Sequence, residues 1–208
     1  MTVQVHGFKC PNCGWTPPNI GVTQCIYCKG AILVSTFNSV ASMPLPMVKQ
    51  YADAYKDALK NKPDAADLNN SIALCYLKLE LYDEALTAFK KVMERDFDNW
   101  ETYFCAAICL LKGKKAFLAQ RSEIDHIEKY IKAALKIAPD RGIVHYFWAY
   151  IKYDYFERKS LDTTPAYQEE LAAANASCLP QRDIDLLFGI LGVSRPDIFC
   201  GADDPAAY

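Results

Sequence analysis

The 208-residue chain lacks most of the features that announce a chemistry. Histidine occurs three times, at His6, His126 and His145, too widely separated to form a ligand or acid–base pattern. There is no Gly-rich phosphate loop, no nucleophile elbow and no His-Glu-x-x-His pair, so catalysis is not expected. Charge of one sign is also missing. The 23 Lys and Arg against 25 Asp and Glu leave a formal net charge of -2, which supplies no global basic field for nucleic acid or an anionic membrane. Long apolar runs are absent: Ala31 to Met47, the stretch closest to one, is broken by Ser35, Thr36, Asn38, Ser39, Pro44 and Pro46 and cannot span a bilayer. The opening Met-Thr-Val-Gln-Val-His has neither a charged nor an apolar signal region, so a reducing, cytoplasmic setting is expected. What remains, 51% hydrophobic and 23% charged residues, is the balance of a globular protein.

Cysteine, by contrast, is plentiful, with nine in the chain. Four of them form C-x2-C-x11-C-x2-C: Cys10, Cys13, Cys25 and Cys28. Two residues between cysteines let both thiolates of a tight turn reach one ion, and Gly14 permits the backbone conformation that such a turn needs. Two knuckles supply four thiolates, a closed site with no position for water or substrate. Val3, Val5 and Phe8, and the segment Ala31 to Phe37, read as short flanking strands. Residues 1–36 have too little apolar surface to fold alone, so the metal is expected to supply much of their folding free energy, on the order of 10 kcal/mol.

The knuckles Phe8-Lys-Cys-Pro-Asn-Cys-Gly-Trp15 and Cys25-Ile-Tyr-Cys28 resemble those of zinc ribbons and short rubredoxin-like modules. The resemblance implies Zn2+ or a single iron at the four cysteines, and spacing alone does not choose between them. Rubrerythrins share the Cys-Gly-aromatic step but also need paired Glu-x-x-His motifs, and here only Glu123 and His126 match, so zinc is preferred. Zinc ribbons often bind nucleic acid. Residues 1–45, however, contain Lys9 and Lys29 and no acid, a charge that four thiolates around a divalent ion cancel; nucleic acid is the less favoured partner.

After a Pro-containing linker the period changes from 2 to 3.6. Ala66 to Asn99 forms a 34-residue unit with Ile72, Ala73, Tyr76, Ala85, Phe89 and Val92 at the offsets of a helix–turn–helix repeat. The segment Leu81 to Phe89 resembles the turn and second helix of a tetratricopeptide repeat (TPR). A second unit follows with about eight extra residues within Gly113 to Asp125, and a third, looser one begins near Gly142, with Lys152 where an aromatic is expected and a second helix starting at Thr164. The expected organisation is a zinc ribbon over 1–36, a linker over 37–46, TPR-like repeats with a terminal helix over 47–191 and a tail over 192–208. The fold class is mostly α, a helical-hairpin solenoid behind a small β ribbon.

The TPR resemblance implies a scaffold whose first helices line a concave groove for a partner segment. The corresponding positions here are Asn70, Leu74, Leu77 and Lys78, then Glu101, Phe104, Ile108, Leu111 and Lys112, then Ile143, Tyr146, Tyr150, Tyr153 and Asp154. Such a lining is unusually apolar for an open groove. Either a protein partner covers it, or the ribbon, the linker or the tail with Ile198, Phe199 and Tyr208 does. A carboxylate clamp of the kind some TPR proteins use is excluded by Leu74, Cys105, Ile143 and Phe147. Cys75, Cys105 and Cys109 are expected as core thiols.

Overall fold

The computed structural model describes residues 8–9, 13–16, 24–29, 32–61 and 63–199. Nine α-helices and one two-stranded sheet lie among them. The sheet pairs β1 (Phe8–Lys9) antiparallel with β2 (Leu33–Val34), Phe8 opposite Val34. The expected strand residues Val3, Val5 and Ala31 fall outside the described residues.

Helices α3 (Ala66–Lys78) and α4 (Tyr82–Arg95), α5 (Trp100–Leu111) and α6 (Arg121–Ile137), and α7 (Gly142–Ile151) and α8 (Tyr167–Ala176) form three successive hairpins. Helix α2 (Leu45–Asn61) precedes them against α3, and α9 (Gln181–Leu191) follows. This is a helical-hairpin solenoid of the tetratricopeptide type. Its two kinds of helix are built differently. The second helices are amphipathic, with Ala85, Ala88, Phe89 and Val92 on one stripe of α4 and Ile124, Ile127, Ile131 and Ala134 on one stripe of α6. In the first helices, α5 is buried continuously from Phe104 to Cys109 and α7 from Tyr146 to Ile151, as befits helices with packed neighbours on nearly all sides. Cys75, Cys105 and Cys109 are core residues of these inner helices.

Helix ends follow local chemistry. Asn99 caps α5 by accepting the Glu101 N–H at 3.1 Å, and Asp83 and Glu84 in the first turn of α4 with Arg95 in its last turn complement the helix dipole. Glu123 accepts the Gln120 N–H at 2.8 Å, which gives this residue a capping role. Gly113, at φ +69, turns the chain out of α5 where a Cβ would sit 3.0 Å from the Tyr82 hydroxyl.

Three places where the sequence pattern is weak take definite form. Within residues 37–46, expected as a linker, α1 (Phe37–Ala41) forms, because Thr36 caps it by accepting the Ser39 N–H at 3.2 Å and because Phe37, Val40 and Ala41 are buried. The second helix of the third unit begins at Tyr167 rather than near Thr164, with Glu169 accepting the Ala166 N–H at 2.9 Å. Lys152, the residue that loosened the third match, is fully buried at the start of a π-helical turn (Lys152–Phe156) that prolongs α7. Its ammonium donates to the Pro165 carbonyl, lies 4.4 Å over the Trp148 ring and 3.9 Å from Glu170 Oε1, and burial lowers its pKa. Glu170 Oε2 in turn lies 2.7 Å from His145 Nδ1, while His145 Nε2 donates to the Pro139 carbonyl at 2.8 Å. This chain of contacts positions α8 against α7.

The insertion in the second unit is also structural. Its 3-10 turn at Ala116–Leu118 reaches the third unit, where Asp154 accepts the Phe117 N–H at 2.8 Å. The N-terminal sheet is tied to the solenoid by Tyr55 of α2, whose buried hydroxyl donates to the Ile32 carbonyl and accepts the Val34 N–H at 2.8 Å. Tyr55→Phe leaves two buried strand groups without partners and is expected to cost about 1–3 kcal/mol. The loss should appear as a lower urea midpoint at constant slope; an unchanged midpoint would contradict this role for the hydroxyl.

Candidate functional site

The first candidate is the cysteine cluster. The sulfurs of Cys13, Cys25 and Cys28 all lie within 4.8 Å of one another, and Cys13 Sγ is 3.4 Å from Cys25 Sγ. The turn over Ile26 to Cys28 brings the last two together: the Lys29 N–H bonds the Cys25 carbonyl at 3.0 Å, and Lys29 adopts φ 59. Burial by itself would raise the Cys25 thiol. The backbone N–H groups of Cys28 and Tyr27 and the thiols of Cys13 and Cys28 outweigh it and bring the pKa down to about 6. Three sulfurs converging on one point, one of them readily ionised, form a donor set that fits a thiophilic metal. Cys10, the fourth expected ligand, lies outside the described residues. Trp15 is half-buried and meets the exposed Tyr27 edge-on, with ring centroids 5.6 Å apart.

The second candidate is the concave face. Leu74, Leu77, Phe104, Ile108, Leu111, Tyr146 and Tyr150 are all buried, at most 2% exposed, and therefore do not form a continuous open groove. The reason is coverage by the chain itself. Phe37 of α1 meets Phe104 edge-on at 5.5 Å, and Phe104 meets Phe147 at 5.8 Å. Phe188 of α9 contacts Tyr146 and Tyr150, at 6.3 and 5.4 Å. Phe199, in the segment expected as a tail, meets Tyr146 and Tyr153, and its carbonyl accepts the Tyr146 hydroxyl at 3.3 Å. Asn70, Lys78 and Tyr153 are half-buried. Lys112 is exposed, but its ammonium pairs with Asp83 of α4 at 2.6 Å. Tyr208 lies outside the described residues.

A recess of about 290 Å³ remains beside Tyr150, Tyr153 and Asp154, and a larger one lies elsewhere on this face. A recess of about 460 Å³ lies at the N-terminal ends of α5, α7 and α9, walled by Phe37, Trp100, Glu101, Phe104, Arg141 and Ile143 among others. Glu101 Oε1 accepts the Phe37 N–H at 3.0 Å, a bond between residues 64 apart in sequence. Arg141 turns its guanidinium onto the Trp100 ring, 4.9 Å from the centroid, so it acts on Glu101 only through space. Burial pushes the Glu101 carboxyl up to about 7, against the Phe37 N–H and the Arg141 charge, which pull it down. Sequence reading placed Glu101 and Ile143 on the concave side but assigned no site to Trp100, Arg141 or Asp183. An acid in a first helical turn normally reads as a dipole partner, and nothing local marks it as buried.

No family profile and no curated protein matches this chain. Among solved structures it is similar to MamA MSR-1, at 22% identity over 63% of this chain and 67% of that one, with a TM-score of 0.47. It is also similar to MamA AMB-1, at 19% identity over 69% of this chain and 72% of that one, with a TM-score of 0.45.

The Glu101 carboxyl binds its proton more tightly in the folded chain than the ordinary value of 4.5 allows. This contribution to stability is present in full below about pH 4.5 and is lost as the pH rises through about 7. Glu101→Gln removes it. Relative to the parent, the variant should gain stability between about pH 5 and pH 8, by on the order of 1–3 kcal/mol in urea titrations. Parallel stability profiles would contradict the burial of this charge.

Proposed function

We propose that the chain is a non-catalytic interaction scaffold, in which a zinc-held N-terminal module is fixed on a helical-repeat stack whose concave side receives a segment of a partner protein. The observation that carries this reading is the division of the concave face. Its aromatic centre is closed by α1, α9 and Phe199, while the recess at the N-terminal ends of α5, α7 and α9 is left open and faces outward. A partner segment therefore engages the open end of the face, and the buried aromatic residues hold the helices in register beneath it.

Zinc suits the cysteine cluster because Cys13, Cys25 and Cys28, with Cys10 as the fourth ligand expected from the spacing, would supply thiolates only and leave no position for a substrate. When bound, it supplies folding free energy rather than chemistry. No helix among the described residues is long and apolar enough to cross a membrane.

The test of the scaffold is capture from native extract with the tagged full chain, with and without nuclease. A nuclease-resistant protein that is lost when the recess is blocked by Ile143→Trp supports the reading. Loss of all bound material on nuclease treatment overturns it in favour of nucleic acid. The metal assignment has its own outcome. The purified chain should be colourless and carry one zinc, and Cys25→Ser should shed the metal while the far-UV helical signal persists. A red, iron-loaded protein would contradict zinc.

A further inference from the structure

The open recess has a chemical asymmetry that selects its occupant. One oxygen of the half-buried Glu101 takes the Phe37 N–H; for the other no hydrogen bond is found among the described residues. Arg141, the cation beside it, is committed to the Trp100 ring. The other charged groups facing the recess are carboxylates, Asp140 from the loop before α7 and Asp183 from α9, and Asp183 already accepts a hydrogen bond from Asn38 of α1 at 3.1 Å. One turn along α5, Cys105 is a buried thiol raised well above its usual range and contributes no charge. Three carboxyls thus face one guanidinium across a recess walled by Trp100, Phe37, Phe104 and Ile143.

The geometry points to a basic side chain, lysine or arginine, of the partner segment as the occupant of this recess, with Glu101 as its counter-ion. An anion would meet the carboxyl excess. A purely apolar group would seal off the second Glu101 oxygen unpaired, which is costly. A long basic side chain satisfies both walls: its methylene stem packs on the aromatic and aliphatic surface, and its head donates to the carboxylate. Arg141 on Trp100 already shows a guanidinium accommodated beside this surface. The cation also relieves the desolvation that holds the Glu101 proton, so binding and deprotonation are linked. This inference rests on the scaffold reading and names the chemistry of its partner.

The test uses the full-length chain and three capped tripeptides, Gly-Lys-Gly, Gly-Arg-Gly and Gly-Gln-Gly, followed by NMR at the Trp100 indole. The basic peptides should bind saturably and the glutamine peptide should not. Affinity for the basic peptides should rise roughly tenfold from about pH 6 to pH 8 as Glu101 ionises. Glu101→Gln, checked for an unchanged circular dichroism spectrum, should abolish that rise and weaken binding about tenfold at the higher pH. Arg141→Ala, which removes a like charge, should strengthen it. Equal binding of basic and neutral peptides, or a pH-independent affinity, would overturn the inference. It would leave the scaffold intact if the extract experiment still captures a protein, because that experiment does not depend on which side chain enters the recess.

Discussion

A row of aromatic side chains on the inner helices has to be kept from water, and most of the architecture answers to that requirement. Phe104, Phe147, Tyr146 and Tyr150 project from α5 and α7 onto the concave side of the hairpin stack. In a bare solenoid they form a large exposed apolar patch. Here Phe37 covers one end, Phe188 the middle and Phe199 the other end, each meeting its neighbours edge-on at ring separations of about 5–6 Å, where the positive edge of one ring faces the negative face of the next. The closing pieces come from segments before and after the repeats. The concave face is thereby the core of the protein, and residues 37–41 and 181–199 belong to the same folded unit as the hairpins.

The N-terminal module is held by the same logic at smaller scale. Among its described residues, Cys25, Ile32, Leu33 and Val34 are buried, and the described strands β1 and β2 span two residues each. On the proposed reading, two anchors hold it. One is the Tyr55 hydroxyl, which satisfies two backbone groups at the edge of β2. The other is the proposed metal at the converging thiols, where the local pKa chemistry already favours an ionised sulfur. Glu101 completes the connection by gripping the first N–H of α1.

The hairpin stack was legible in the sequence because its signals are periodic and local. Small residues such as Ala73 and Ala85 and apolar positions such as Phe89 and Val92 recur at helical offsets. The approach of Cys25 to Cys28 was legible for a similar reason, since two intervening residues fit one tight turn. Coverage of the concave face by the chain itself was legible only as one of two alternatives. A groove residue and a core residue have the same pattern on their own helix, and only long-range contacts such as Phe37 on Phe104 distinguish them. Lys152 failed as a repeat residue because a buried lysine needs Glu170, the Pro165 carbonyl and Trp148 around it, none of which its own helical periodicity could point to. The recess was missed because its walls come from α1, α5, the start of α7 and α9 at once.

The most direct measurement of this account is a double-mutant cycle between Phe37 and Phe104, with Phe37→Ala, Phe104→Ala and the double variant compared by equilibrium urea unfolding. If the chain closes its own concave face through this contact, the coupling energy should be about 0.5–1.5 kcal/mol. A coupling near zero, with the two losses simply adding, would mean that α1 does not cover the aromatic row and that the face is open after all.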